Sequence, residues 1–257
     1  MKKDIATPVG IALGLVIIIA ANVLEGGNPM SLILLPPMLL VLGTTVMVTV
    51  AGGTMADAKA AGTNVKRAIS GSVEPADALV PQVVSLAERA RREGLLALED
   101  SLRDIDDPFL VKGVTMAIDG TDPEDVRDIL EAELRAKKRD DKQAAKFFSD
   151  AGGYAPTIGI IGTVMGLVHV LENLASPEEL GHLIAGAFVA TLWGVMSANV
   201  VWLPLANRLK RLGELECARM EVAIEGVAAI QAGANPRLVA EKLRSLLPTG
   251  TGEQEAA

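Results

Sequence analysis

Few side chains in this sequence have types and spacings that could do chemistry, and most of those lie in or beside apolar runs. Thr163 and Thr191 are hydroxyls inside two such runs. A threonine hydroxyl serves as a weak ligand for water or a cation. His169, Glu172 and His182 are ionisable groups near the ends of the same runs. Proton entry is one role for them, and plain solvation is the commoner one. Cys217 is the single cysteine, which excludes an internal disulfide framework. Both histidines are far from it in sequence, so no zinc-ligand spacing arises. No glycine loop ends in Lys-Ser/Thr, and no nucleophile elbow is present. The sequence therefore points away from an enzyme, and to no cofactor or metal. A net charge of −8 also lacks the basic balance of a nucleic-acid binder.

The apolar runs decide the class. Half of the 257 residues are hydrophobic, yet only four Phe, two Trp and one Tyr are present. Ile5–Leu24 holds no charge over 20 positions, enough for about 30 Å of helix. It follows Lys2 and Lys3, but it is longer than a signal-peptide core and another apolar run follows at once. That second span is Ser31–Ala51, with Pro36-Pro37 inside it, where the helix either kinks or begins. The third is Tyr154–Leu171 and the fourth Leu183–Ala206. All 24 Lys and Arg avoid the connections Glu25–Met30 and Glu172–His182. Two precede the first span, 15 lie between Lys59 and Lys146, and seven follow the fourth. The positive-inside rule then places both termini and the long middle segment in the cytoplasm.

The expected fold is an all-α membrane protein with four transmembrane helices as two hairpins. A helical cytoplasmic domain separates spans 2 and 3, and a helical cytoplasmic extension follows span 4. The expected divisions are 1–56, 57–150, 151–207 and 208–257. In the middle segment, Ala78–Leu98 carries apolar residues at helical spacing. Asp122-Pro123-Glu124 has the cap, proline and acid of a helix start. That helix continues through the charged stretch 135–148 towards span 3. After span 4 a helix runs on to Gln231, and a short one covers Pro236 to about Leu247. The last ten residues are expected to lack structure.

Spans 3 and 4 each carry a stripe of small residues. Gly159, Thr163 and Gly166 fall on one side of span 3. Ala187, Thr191, Gly194 and Ala198 do so in span 4. Small residues let helices approach closely in lipid. Two readings are open: the stripes pack one helix on another within the chain, or they surround a partner helix or a narrow wet path. The matching threonines favour the second. Pro156 and Pro204, near the cytoplasmic ends of spans 3 and 4, predict static kinks or hinges.

An ion path across a membrane ordinarily uses a titratable group in mid-membrane. The interiors of all four spans contain no Asp, Glu, Lys or Arg. If this chain conducts ions, a partner helix must bring the carboxylate. In the middle segment, Arg91 and Glu99 are eight apart, about two helical turns, so both project from one side of a helix. By composition they read as a solvated face.

At these residues the sequence resembles a known family. "ARREGLLALE", "DGTDPEDVRDILEAEL", "GGYAPTIGIIGTVMGLVHVLENL" and "AFVATLWGVMSANVVWLPLANRLK", in this order, are similar to the MotA/PomA stator subunits of the bacterial flagellar motor. These belong to the MotA/TolQ/ExbB proton-channel superfamily. The resemblance covers about residues 1–245. It implies rotor contact with FliG through Arg91 and Glu99, and torque-related prolines at Pro156 and Pro204. It implies ion-pathway threonines at Thr163 and Thr191. It further implies a MotB-like single-span, peptidoglycan-binding partner that carries the ion-binding aspartate. The expected assembly is a homopentamer around two partner chains in the bacterial inner membrane. Gly159, Gly166, Ala187, Gly194 and Ala198 are then expected to pack against the partner helices. Leu34 stands roughly where sodium-type members often carry an acid, which favours protons, while the threonines also suit sodium. The alternatives are an ExbB/TolQ-like energiser of an envelope process and a non-conducting membrane scaffold.

Overall fold

The computed structural model describes residues 4–247; residues 1–3 and 248–257, including the tail expected to lack structure, lie outside it. Among the described residues the fold is all helical, without a strand. Helix α1 is Ala6–Leu24. A 3-10 turn, Pro29–Leu32, leads to α2, Leu35–Ala51. Then come α3 (Met55–Ser70), α4 (Leu79–Glu93), a 3-10 segment (Leu95–Asp104) and α5 (Pro108–Ile118). Two long helices follow, α6 (Pro123–Glu172) and α7 (Pro177–Gln231), and α8 (Pro236–Ser245) completes the order.

Local chemistry sets these boundaries. Thr54 and Asp57 form a reciprocal capping box at α3. Asp107 accepts from the backbone N–H groups of Phe109 and Leu110 at α5. Asp122 accepts from Glu124 N at 2.9 Å, so α6 starts where its sequence signature places it. It then runs 50 residues without a break. Pro36 and Pro37 occupy the first turn of α2, where a missing N–H costs nothing. The helix of the second span therefore begins at Leu35, not Ser31.

Helices α1, α6 and α7 are long and apolar enough to cross a membrane; α2 is apolar but has 17 residues, about 25 Å of helix. Two π turns interrupt the apolar helices, Leu39–Gly43 in α2 and Ala198–Trp202 in α7.

The described residues divide into two compact units. One comprises 73–140 and 211–247, so the middle segment and the C-terminal helices share one core. The inward stripe of α4 (Val80, Val83, Leu86, Ala87, Ala90) is buried there with Leu98, Leu110, Leu130, Val227 and Leu243. Arg219 bridges Glu74 at 2.8 Å and Asp107 at 3.0 Å. Glu225 pairs with Arg127, and with Lys242 at 2.5 Å.

The other unit comprises 4–72 and 141–210. Here Phe148, Leu205 and Leu209 are buried with Ala68 of α3. Arg67 bonds Asp141 at 2.6 Å, and that carboxylate side chain is only 10% exposed. Arg208 reaches Asp4 at 2.8 Å and the Gly71 carbonyl at 3.0 Å, tying α7 to the segments before α1 and after α3.

One expectation fails in the first unit. Ala78–Leu98 is not one helix: Gly94 takes φ +85°, and α4 stops at Glu93. A side chain is strained in that conformation, whereas glycine adopts it freely. The chain continues as 3-10 turns, so Arg91 and Glu99 do not share one face of one helix. Arg89 secures the corner, bonding Glu93 at 3.1 Å and the Ser101 hydroxyl at 2.6 Å.

Candidate functional site: the seam between α6 and α7

The small-residue stripes face each other. A methyl added at Gly194 would lie 2.6 Å from the Ala155 carbonyl oxygen and 3.0 Å from the Gly159 Cα. One at Gly166 would lie 2.6 Å from the Ala187 Cβ, and one at Gly162 2.6 Å from the Ala190 Cβ. The two backbones are therefore close enough that a side chain at these glycines would force them apart. Gly159, Gly166, Ala187 and Gly194, expected beside a partner helix or against each other, meet within the chain. They pack α6 on α7 of the same chain, because α7 already fills the space in front of the glycines. Ala198, at the start of the π turn, is also buried.

Thr163 and Thr191 meet within this seam. Their hydroxyls are in direct hydrogen-bond contact. Thr163 also reaches the Ala187 carbonyl at 2.9 Å and the Gly159 carbonyl at 3.2 Å; Thr191 reaches the Gly159 carbonyl at 3.3 Å. Each hydroxyl has one proton, so the four oxygens retain free lone pairs. Both threonines are half-buried. The apolar residues Ile160, Ile161, Val164, Met165 and Phe188 are exposed on the same two helices.

The prolines are linked through packing. Pro156 lies inside α6, so the Gly152 carbonyl four residues earlier loses its helical donor. A Cβ on Gly152 would lie 2.7 Å from Leu203 Cδ2, next to Pro204. The two proline-weakened turns thus touch. Pro204 lies two residues after the end of the π turn of α7, past Leu203. A groove of about 450 Å³ beside it is lined by Thr7, Gly10, Gly14, Asn199 and Val200.

Residues 101–222 match the family described as "MotA/TolQ/ExbB proton channel family". Motility protein A of Bacillus subtilis (strain 168) is 45% identical over 170 residues, 66% of this chain and 63% of that protein, just under two thirds of its length. Motility protein A of Helicobacter pylori (strain ATCC 700392 / 26695) is 32% identical over 247 residues, 96% of each chain. The structure of the flagellar MotAB stator complex from Bacillus subtilis superposes with a TM-score of 0.88 at 37% identity, over 95% of this chain and 96% of that one. The chain belongs to the MotA/TolQ/ExbB proton channel family.

In this MotA/TolQ/ExbB member the apolar stretches of α6 and α7 carry hydroxyls and carbonyls but no carboxylate. The nearest ionisable groups lie at the far ends of the apolar stretches. His169 Nδ1 and Glu172 Oε2 are 3.4 Å apart, both side chains well exposed, and His182 is exposed. The structure does not bring them to the threonines. Arg91 and Glu99 lie in the other unit, both exposed, and neither forms an ion pair with another described residue.

Sequence reasoning missed three anchors. Trp193 donates its indole N–H to the Leu32 carbonyl at 2.7 Å, fixing α7 to the 3-10 turn before α2. Thr49 donates to the Thr45 carbonyl at 2.7 Å on the buried side of α2. Arg67–Asp141 pairs residues 74 apart. Only the run of threonines 44, 45 and 49 in an apolar helix hinted at the second; no local signal marks the others.

Proposed function

We propose that this chain is the channel-forming membrane subunit of a flagellar stator, coupling ion flow, with protons favoured, to torque on the rotor protein FliG. One observation carries the reading: the Thr163–Thr191 oxygen cluster sits on a seam without charge. A path built this way needs its titrating group from outside the chain. A MotB-like single-span partner supplies it, as a membrane carboxylate seated beside the cluster.

The chemistry follows from the residues. A carboxylate in a low-dielectric layer is costly when charged and unpaired. The cluster's free lone pairs accept from the carboxyl's protonated form, which the apolar flanks also favour, whereas the charged form must draw a hydroxyl proton away from the Ala187 or Gly159 carbonyl. Loading and unloading the ion therefore shifts how strongly the partner helix holds to this site. The touching turns of Gly152–Pro156 and Leu203–Pro204 are the compliant part that lets α6 and α7 follow. Arg91 and Glu99 are the charges offered to the rotor.

The assembly proposed is a homopentamer around two partner chains in the bacterial inner membrane. Its topology has four spans, both termini in the cytoplasm, with α2 crossing as the short span. The roles above are likewise part of this reading.

The test is proton and sodium flux into vesicles containing this chain with and without its MotB-like partner. Flux only with the partner, abolished by neutralising the partner's membrane carboxylate, is expected. Equal flux from the chain alone would overturn the reading and return attention to His169, Glu172 and His182. Charge reversal at Arg91 and Glu99 that spares swimming would favour an envelope energiser without a rotor.

A further inference from the structure

None of the side chains of α1 is buried, and the helix is held to α7 at its two ends of approach. Near Gly14 the two helices touch: a methyl added there would lie 3.5 Å from Val200 Cγ1. Just before the first turn of α1, Arg208 bridges to Asp4 at 2.8 Å, and Asp4 accepts from the Ala6 N–H at 3.0 Å. Arg208 stands four residues after Pro204, on the same side of α7. Between these two contacts the helices part. A methyl on Gly10 would meet nothing within 4 Å. The gap is the groove of about 450 Å³, with Thr7, Gly10 and Gly14 on one wall and Asn199, Val200 and Pro204 on the other.

Medium, size and charge together define what fits. Both helices are long and apolar enough to cross a membrane, so the groove opens into hydrocarbon rather than water. It is too small for a helix: Ala6 to Gly14 rises about 12 Å, and a helix of that length, 10–12 Å across, takes roughly 1,000 Å³. A hydrocarbon chain is much thinner. The polar wall residues do not contradict this. Thr7 lies at the mouth, and the Asn199 amide already donates to the Val195 carbonyl at 2.8 Å. At the mouth Arg208 is 14% exposed and tied to Asp4 and the Gly71 carbonyl, whereas Asp4 is 43% exposed. The Ala6 N–H and the Arg208 charge hold the Asp4 carboxyl below its ordinary range, so it is an anion at neutral pH. Lys2 and Lys3 precede it in the sequence, so both signs of charge belong to this end of the chain.

We propose that this groove seats one acyl chain of a zwitterionic phospholipid whose headgroup carries a primary ammonium, with the chain along Gly10 and the ammonium beside Asp4. The lipid completes the packing of α1 on α7 where side chains leave a gap. In hydrocarbon there is no hydrophobic gain from pressing the two helices together. A chain laid between them instead supplies the dispersion contacts that the gap lacks. The inference is independent of the ion path and of the rotor.

The experiment extracts the full chain in its native assembly, in mild detergent, from membranes holding both phosphatidylethanolamine and phosphatidylglycerol. Native mass spectrometry identifies and counts the phospholipid that stays bound. Phosphatidylethanolamine is expected, about one per chain. A Cβ on Gly10 meets nothing, so Gly10→Leu fits into the groove without displacing protein atoms. It is expected to cut the retained lipid about tenfold while the melting temperature holds or rises. Ala12 is exposed and outside the groove, and Ala12→Leu is expected to keep the lipid. Asp4→Asn can still accept from the Ala6 N–H, and is expected to keep a lipid but lose the preference for phosphatidylethanolamine. No phospholipid on the unaltered chain overturns the proposal, as does an equal count in Gly10→Leu. A preference for phosphatidylglycerol overturns it too. If Gly10→Leu leaves the lipid in place and breaks the assembly into smaller oligomers, the groove belongs to a neighbouring copy and the proposal falls.

Discussion

The hydroxyls of Thr163 and Thr191 touch across the seam between α6 and α7, 28 residues apart in the chain. That contact makes a prediction about conduction. Thr191→Val keeps the shape and removes one hydroxyl, while Thr163 still has the Ala187 carbonyl as acceptor. Ion flux by the complex with its partner should fall about tenfold, the worth of one hydrogen bond. Thr191→Ser should restore most of it. Flux unchanged in Thr191→Val, with normal assembly, would remove the cluster from the ion path.

The seam also predicts a contrast between two glycines. A Cβ on Gly194 meets backbone, whereas one on Gly153 has nothing within 4 Å. Gly194→Ala should therefore destabilise the purified chain by about 1–3 kcal/mol, since backbone cannot step aside cheaply. Gly153→Ala should be neutral or stabilising by up to about 1 kcal/mol through helix propensity. Thermal unfolding in detergent compares them, and equal shifts would contradict the close approach.

Pro204→Ala restores a donor next to the π turn and should stiffen α7. Melting temperature should stay level or rise while torque falls. Full torque with a stiffer helix would argue against a compliant turn there.

The Arg67–Asp141 pair is half-hidden from water, unlike the exposed Lys146–Asp150 pair. Asp141→Asn removes the carboxylate charge from this half-hidden pair and should cost about 3 kcal/mol. Asp150→Asn should cost less than about 1 kcal/mol. Unfolding titrations of the two variants give the comparison.

Burial works against the charged form of Glu225. The Lys242 hydrogen bond and the nearby Arg127 charge outweigh it and hold the carboxyl below its ordinary range. The folded state thus binds its proton less readily than the unfolded chain. The resulting stability is full above the unfolded carboxylate value, about 4.3, and is lost as pH falls through the lower folded value. Amide exchange in α8, against which this carboxylate is paired, should quicken as pH falls below about 4 relative to the intrinsic rate. Glu225→Gln should flatten that acid response and lower stability at neutral pH.

Some of this was legible in the sequence because it is local. Charge-free runs and the placement of 24 basic residues give helices fit for a membrane and an expected orientation. The Asp122-Pro123 signature gives the start of α6, and its uninterrupted pattern gives its length. The absence of acid in the spans is a property of composition, and so is the need for a carboxylate from elsewhere. Tertiary structure decided what faces what. A glycine stripe has the same spacing whether a partner helix or the chain's own α7 lies against it, so only the short distances from Gly194 and Gly166 assign it to the chain itself. The two threonines are on matching stripes in the sequence, but their contact depends on how α6 and α7 are set against each other. Arg91 and Glu99 have helical spacing, yet the buried Leu98 and the corner at Gly94 favour 3-10 turns, because core packing outweighs the weak propensity of a short segment.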